Sequence, residues 1–472
     1  MSVSFRLKTD AVRWVGVVLA FWFTLSFVAS GCAKVQSHPE PAGWPGGVMP
    51  KGGFCPAQKA DDFDDLGAIR AAMRQLECLI VVYENRPEMA SDTIPRMRRL
   101  YADLVEKLTK RNRWDDDSAV WEWLYTYTAR LNPIRNELAR HFKIPVFSVN
   151  GHHRAAALWA ESARRHPVDT LVHFDSHSDT RGLADPARVL QLGRGIMKGT
   201  NIRSAERELD QYLNDPAVPC SVGILLLGFK HFIWPKPDWY GLGDVVMRPF
   251  FYGQQIKENP GIKALSKDWE LYYDRSTDTT GRPPVPDDSS WLRLPRPASE
   301  MGVFDHVRRL TLSVFTTLPW PKDADKDALL KRELLAAIHK GNFVLDIDLD
   351  YFGSVDLTPG LSRKAPPSHY EGRNKFLKSD VTDARRQKWL AHRQHVDKGI
   401  AEVEAMMTFL RRHGRIPTVV TLADSTYMPF SIHWWSEEFW EYGPRRMLPY
   451  VQYKVRKMLA RVYAGDGIGA IP

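Results

Sequence analysis

The stretches that decide the fold are VDTLVHFDSHSDT at residues 168–180 and GNFVLDIDLDYF at residues 341–352. Each begins as an apolar run typical of a buried strand and ends with polar side chains at every second position. Alternate side chains of a strand share one face. The side chains that should project together are Asp175, His177 and Asp179 in the first stretch and Asp346, Asp348 and Asp350 in the second. Carboxylates crowded at a buried strand end repel each other unless cations neutralise them, so both stretches predict a metal site.

Outward from these stretches, apolar strand patterns alternate with helical patterns. The predicted strands are Ile144–Asn150, Val168–Phe174, Val222–Phe229, Arg309–Phe315, Gly341–Asp348 and Thr418–Ala423. The predicted helices between and after them are His153–Arg165, Asp325–His339, Val381–Arg412 and Arg445–Tyr463. This alternation predicts an α/β fold with a mostly parallel sheet. Ligands of such sheets bind outside the carboxyl ends of the strands, where both acidic stretches end.

The pattern divides the chain into regions. Three helical patterns, Phe63–Tyr83, Thr93–Arg111 and Ala119–His141, predict a helical lead-in over residues 62–143. Residues 144–472 form the predicted α/β metal-binding domain. A Pro-, Asp- and Trp-rich insertion at about residues 235–299 interrupts the alternation, as a lid over the site or as surface decoration.

The N-terminus has the layout of a secretory signal, with basic residues before an apolar stretch from Trp14 to Ser30. The run VASGC at residues 28–32 is similar to a bacterial lipobox, which predicts cleavage after residue 31, lipid on Cys32 and a flexible Pro/Gly-rich tether over residues 32–61. An uncleaved membrane anchor over residues 1–31 is the alternative. Both predict an exported protein tethered to a membrane, as in a bacterial cell-envelope lipoprotein.

Charge and cysteine content exclude some classes of protein. The net charge is +9, but the basic residues are scattered and no nucleic-acid-binding motif accompanies them. Four cysteines are present, Cys32, Cys55, Cys78 and Cys220, and no CxxC motif. The sequence therefore predicts neither a nucleic-acid partner nor a thiolate zinc site, and a Cys55–Cys78 disulfide is possible in an oxidising compartment.

A third polar segment, NGHHRA at residues 150–155, lies between a predicted strand and a predicted helix. With the two acidic stretches it supplies the predicted metal ligands: His153, Asp175, His177, Asp179, Asp346 and Asp348. Imidazole and carboxylate donors suit manganese, iron or zinc. Four carboxylates balance the charge of two divalent cations, so the set favours a binuclear site.

The order of the three motifs resembles the arginase–deacetylase, or ureohydrolase-like, superfamily, and within it an uncharacterised arginase-related domain family. The resemblance runs from about Ile144 to Phe430. It implies a three-layer α/β/α fold and two divalent metal ions, Mn²⁺ first with Zn²⁺ and Fe²⁺ as alternatives. It also implies that Asp175 and Asp346 bridge the metals.

Departures from the arginase pattern concern the substrate. His152 replaces an acidic residue before the first ligand, and no histidine follows the second motif where arginases have a proton shuttle. His231 is a candidate shuttle. The candidates for the missing guanidinium-binding glutamate are Asp424, Glu437 and Glu438.

The expected activity is metal-dependent hydrolysis of an amide or guanidino C–N bond, other than a peptide bond, in a small molecule or a modified side chain. Two alternatives stay open: a non-catalytic metal-binding or scaffold protein of the same fold, and a metal-dependent phosphoesterase.

Overall fold

The computed structural model describes most of the chain from Leu66 onward. The described residues are 66–111, 118–175, 179, 186–199, 207–208, 219–236, 251–258, 266–274, 304–316, 324–338, 342–353, 382–424 and 448–470. The predicted signal or anchor and its tether lie outside these ranges. Within the described ranges, no helix combines the length and the apolar character needed to cross a membrane.

Three long helices precede the sheet, as the apolar spacing predicts. They are α1 (Leu66–Asn85), α2 (Ala90–Arg111) and α3 (Ser118–Ala139). The chain clusters into two compact units, and Arg74–Ile94 belong to the smaller one. The sheet and the helices that follow it belong to the larger unit.

The larger unit contains an eight-stranded mixed sheet. Its strands are β1 (Val146–Val149), β2 (Thr170–Phe174), β3 (His231–Lys236), β4 (Phe251–Glu258), β5 (Ser266–Asp274), β6 (Phe304–Thr316), β7 (Phe343–Asp348) and β8 (Val419–Ala423). The strand order is β1-β8-β7-β2-β3-β6-β5-β4. The five strands β1, β8, β7, β2 and β3 are all parallel, so the predicted α/β class and parallel sheet are confirmed.

The remaining helices are α4 (Ala155–Ala163), α5 (Pro186–Lys198), α6 (Pro219–Leu227), α7 (Ala324–Ala337), α8 (Asp350–Gly353), α9 (Thr382–Arg412) and α10 (Leu448–Val462). Helix α4 is so apolar that seven of its nine residues are buried. Residues of α4, α5 and α6 share one core cluster with β1 and β2. Helix α10 packs against α3 and α9. The positions of the helices along the chain agree with the sequence patterns within a few residues.

One predicted strand is wrong. Residues Val222–Phe229 were expected to form a strand, but Pro219–Leu227 form helix α6. A short run that is apolar on every side fits a buried helix as well as a buried strand. Pro219 suits the first helical position, and Gly228 follows the helix with a φ of 82°, a left-handed conformation that favours glycine. The strand itself comes just afterwards, as β3.

The insertion at residues 235–299 contributes strands to the sheet. β4 and β5 pair antiparallel, and β5 pairs antiparallel with β6. This hairpin lies at the edge of the sheet, three to four strands away from β2 and β7. The described part of the insertion therefore extends the sheet; the rest of it, and with it the lid prediction, lies outside the described residues.

The cysteines fall into two kinds. Cys78 is disulfide-bonded, and its partner lies outside the described residues, so the predicted pairing with Cys55 stays a prediction. Cys220 is a free, buried thiol in α6.

Candidate metal centre

The acidic strand ends meet where the sheet changes its direction of winding. β2 and β7 are neighbours, but the chain leaves β2 toward β3 on one side and leaves β7 toward β8 on the other. The two connections depart in opposite directions, which opens a crevice at the carboxyl ends of the two strands. The alternate polar residues of both strands point to this place.

Register across three strands forms one polar row. His173 on β2 is opposite Asp346 on β7, and Asp346 is opposite Thr421 on β8. The Nδ1 atom of His173 lies 2.7 Å from Asp346 Oδ2. The Thr421 hydroxyl donates to Asp346 Oδ1, and the indole Nε1 of Trp159 in α4 donates to Thr421 Oγ1 at 3.0 Å. A chain of buried donors therefore fixes both oxygens of Asp346.

His152 is the central residue of the cluster. It lies in a short 3₁₀ turn, His152–Arg154, that connects β1 to α4. Its Nε2 is 2.7 Å from Asp346 Oδ2, and its Nδ1 is 2.6 Å from Asp179 Oδ2 and 3.0 Å from Asp348 Oδ2. Asp175 Oδ2 is 3.4 Å from the same Nδ1. The Nδ1 atom is fully enclosed, yet none of these approaches has the geometry of a hydrogen bond.

The side chains form two overlapping groups, and in each group the ligand atoms lie within 4.8 Å of one another. The first contains His152, His173 and Asp346, and the second contains His152, Asp175, Asp179 and Asp348. All six residues are buried. Two imidazoles and four carboxylates in contact are the donor set of a site for divalent metal ions.

Asp179 has a strained backbone. Its φ is 47°, in the left-handed region that non-glycine residues seldom adopt. Its carbonyl accepts a hydrogen bond from the Cys220 amide at 3.0 Å. This bond holds the Asp179 backbone to the start of α6 while its carboxylate faces His152. Strain of this kind is concentrated at functional sites.

The charges of the cluster shift each other strongly. Burial lowers the pKa of His152, but the carboxylates of Asp346 and Asp179 outweigh it and raise the pKa well above the ordinary value. The pKa of His173 is likewise raised, by Cys220 and Asp175 against burial. Burial and Asp175 raise the pKa of Asp179 to about 6. Burial also raises the pKa of Asp346, but the two histidines outweigh it and lower the value to about 2. Carboxylates and imidazoles at such distances each stabilise the charge of the other.

The structure brings together four of the six predicted ligands, the four aspartates Asp175, Asp179, Asp346 and Asp348. His177 lies outside the described residues. His153 is buried, but the two groups contain its neighbour His152 instead. His153 and His177 therefore stay predicted ligands that the described geometry does not decide.

The sequence reasoning missed His152 and His173. His173 could have been found, because it precedes Asp175 by two residues and alternation along β2 gives both the same face. His152 gave no such signal, since the turn that orients it begins where strand periodicity ends.

The candidate proton shuttle His231 is on the wrong edge of the sheet. It begins β3, opposite Thr170 at the amino end of β2. Five residues of extended chain separate this level from Asp175, roughly 16 Å. Glu437 and Glu438 lie outside the described residues.

Asp424 is the remaining candidate for substrate recognition, and it lies beside the cluster. It follows Ala423, which is opposite Asp348 in the β7–β8 register. Its Oδ2 is 3.4 Å from the Nδ2 of Asn132, and the same Nδ2 donates to Asn150 Oδ1 at 2.9 Å. Its buried Oδ1 has no hydrogen-bond partner among the described residues. Burial and the nearby Asp348 raise the pKa of Asp424 to about 8.

Asp424 should cost the protein stability at alkaline pH. Its folded pKa is raised, so the stability from its protonated form is present below the unfolded value and is lost as the pH rises through about 8. We expect Asp424→Asn to increase the free energy of unfolding of chelator-treated protein at pH 9 by about 1–3 kcal/mol, and to change it less at pH 6. Urea unfolding at the two pH values measures this. An equal effect at both would contradict it.

Neither protein-family models nor curated proteins gave a match to this chain. The functional assignment therefore depends on the geometry of the cluster.

Proposed function

We propose that the protein is a metal-dependent hydrolase that cleaves C–N bonds of the amide or guanidino type. The observation that carries the proposal is the buried convergence of two imidazoles and four carboxylates in the crevice between β2 and β7. Buried carboxylates in such number need cations nearby. Such sites in α/β proteins commonly serve catalysis, because the crevice also admits a ligand.

The donor set fits divalent metal ions in number and in kind. His152, His173 and Asp346 would hold one ion, and Asp175, Asp179 and Asp348 would hold a second next to His152. With neutral imidazoles, the four carboxylates balance two divalent cations. Bound divalent ions supply Lewis-acid polarisation of the substrate and lower the pKa of water. Oxygen and nitrogen donors accept Mn²⁺, Zn²⁺ or Fe²⁺.

The finer part of the proposal is an arginase-like enzyme with a three-layer α/β/α architecture and two Mn²⁺ ions. The motif order along the chain supports it, as does the parallel sheet with helices before and after its strands.

The protein's own residues would orient the ions and the substrate. Thr421 and Trp159 hold the Asp346 carboxylate in place through hydrogen bonds. Asp424 offers a buried oxygen that can accept a hydrogen bond from a substrate N–H group, which an amide or a guanidinium provides and a phosphate ester does not. Burial of the whole cluster excludes bulk water, which strengthens each of these interactions.

Turnover by metal-loaded protein tests the proposal. The protein lacking residues 1–31 would be stripped with chelator, reloaded with Mn²⁺ or Zn²⁺, and assayed for metal content and for release of amine or urea from amide and guanidino compounds. We expect one to two ions per chain and turnover that Asp348→Asn removes. The matched control is Asp169→Asn, a carboxylate at the opposite end of β2.

The alternatives give different results in the same assay. Bound metal without turnover of any substrate would favour a non-catalytic metal-binding protein. Phosphate-ester turnover would indicate a phosphoesterase. Absence of bound metal would contradict the metal centre itself.

A further inference from the structure

Cys220 lies against the metal centre rather than in the middle of an apolar core. It is the second residue of α6, and its side chain is completely buried. Its amide binds the Asp179 carbonyl at 3.0 Å, and its thiol is hydrogen-bonded to His173. The thiol also interacts electrostatically with Asp179 and Asp346. Both acidic motifs therefore converge on one sulfur atom.

We propose that Cys220 is a sulfur ligand of the metal ion held by His152, His173 and Asp346. This inference rests on the proposed metal centre and gives one of its two positions a distinct chemistry. With Cys220, that position has two imidazoles, one carboxylate and one thiolate. Thiolate and imidazole donors favour zinc, cobalt or iron(II) over manganese. The other position, with Asp175, Asp179 and Asp348, keeps mainly oxygen donors and suits Mn²⁺.

A second observation points to a ligand at the same place. The Nδ1 atom of His152 is enclosed and has carboxylate oxygens at 2.6 and 3.0 Å, yet it forms no hydrogen bond of good geometry. A buried nitrogen in that situation is costly unless it binds something. The imidazole of His152 belongs to both groups of donors, so an ion beside it has Cys220, through His173, on one side and the carboxylates on the other.

The local structure favours metal ligation by this sulfur. Cys220 is in the first turn of α6, where the helix dipole stabilises a negative charge. Ligation replaces the S–H bond with a sulfur–metal bond and releases one proton to solvent. A cysteine with only a structural role has no need of a histidine beside its thiol, and an alanine or valine fills such a space equally well.

Cobalt(II) reports directly on sulfur ligation. Protein lacking residues 1–31 would be stripped with chelator and titrated with Co²⁺ while its absorption spectrum is recorded. We expect visible ligand-field bands from the bound ion and, in the near ultraviolet, a thiolate-to-cobalt charge-transfer band. Cys220→Ser should lose the near-ultraviolet band and keep visible bands, since the other donors remain. That variant retains Cys32, Cys55 and Cys78, so it also controls for binding by other thiols.

Metal preference gives a second measurement. In competition between Zn²⁺ and Mn²⁺, we expect Cys220→Ser to weaken zinc binding about 10-fold or more and to change manganese binding much less. Equal losses for both metals would indicate that the variant has disturbed the site as a whole and would contradict a sulfur-specific role.

The failures of the two proposals are distinguishable. If wild-type protein binds cobalt and shows the visible bands without the charge-transfer band, Cys220 is not a ligand and the metal centre stands. If wild-type protein binds neither cobalt, zinc nor manganese, the metal centre fails and the inference about Cys220 fails with it.

Discussion

Asp346→Asn is expected to abolish tight metal binding while the protein still folds. Asp346 is the residue that both histidines contact, with His152 Nε2 and His173 Nδ1 each 2.7 Å from its Oδ2. Loss of groups that merely orient a metal ligand typically costs 10–100-fold in affinity. Loss of a ligand itself should exceed this, so we expect a decrease of at least about 100-fold. Isothermal titration of chelator-treated protein with Zn²⁺ or Mn²⁺ measures it.

The same substitution separates metal binding from folding. Asp169→Asn changes a carboxylate at the other end of β2 and should leave metal affinity within about 2-fold of wild type, a difference of about 0.4 kcal/mol. Far-ultraviolet circular dichroism should show a folded protein in both variants. Unchanged metal affinity in folded Asp346→Asn would sink the assignment of this cluster as the metal centre.

Trp159→Ala is expected to have the largest effect on stability. The indole is fully buried between β8 and the core of α4–α6 and lies 6.2 Å from the ring of Phe229. Truncation of a buried tryptophan to alanine costs about 3–5 kcal/mol. It also removes the donor to Thr421, whose hydroxyl holds Asp346. We therefore expect a fall in the urea midpoint together with roughly 10-fold weaker metal binding.

Trp159→Phe separates these two contributions. Phenylalanine keeps most of the buried ring and loses only the Nε1 donor, so its stability should fall by about 1–2 kcal/mol. Metal affinity should fall as much as in Trp159→Ala, because the hydrogen bond to Thr421 is lost in both. Wild-type affinity in Trp159→Phe would show that the hydrogen-bond chain does not position Asp346.

The sequence predicted the sheet well because its strands carry unambiguous signals. β2 and β7 each combine an apolar run with alternate polar residues at its end, and β8 is the apolar run VVTLA between a long helix and an acidic residue. Helix α6 was mistaken for a strand because PCSVGILLL has no polar face to reveal its period. The hairpin of β4 and β5 was missed since its pairing depends on β6, more than 30 residues further along the chain.

The aspartates of the site were predictable, and its histidines less so. Asp175, Asp346 and Asp348 follow from strand alternation, which fixes the face of each side chain. His152 and Cys220 reach the cluster by tertiary packing, one through a turn and the other through a helix start, and no local period marks either. The contribution of sulfur was therefore excluded from the sequence, where no CxxC motif exists, and it emerges only from the fold.

The position of β8 makes the site depend on the last part of the chain. Among the described strands, β1 pairs only with β8, which lies between β1 and β7. The turn that carries His152 follows β1, so it can dock beside Asp346 only after β8 has entered the sheet. During synthesis, the chain cannot assemble this centre until residue 423 has left the ribosome. Truncated or incompletely translated copies should consequently emerge without a metal-binding site, so that metal retention reports whether a molecule is complete.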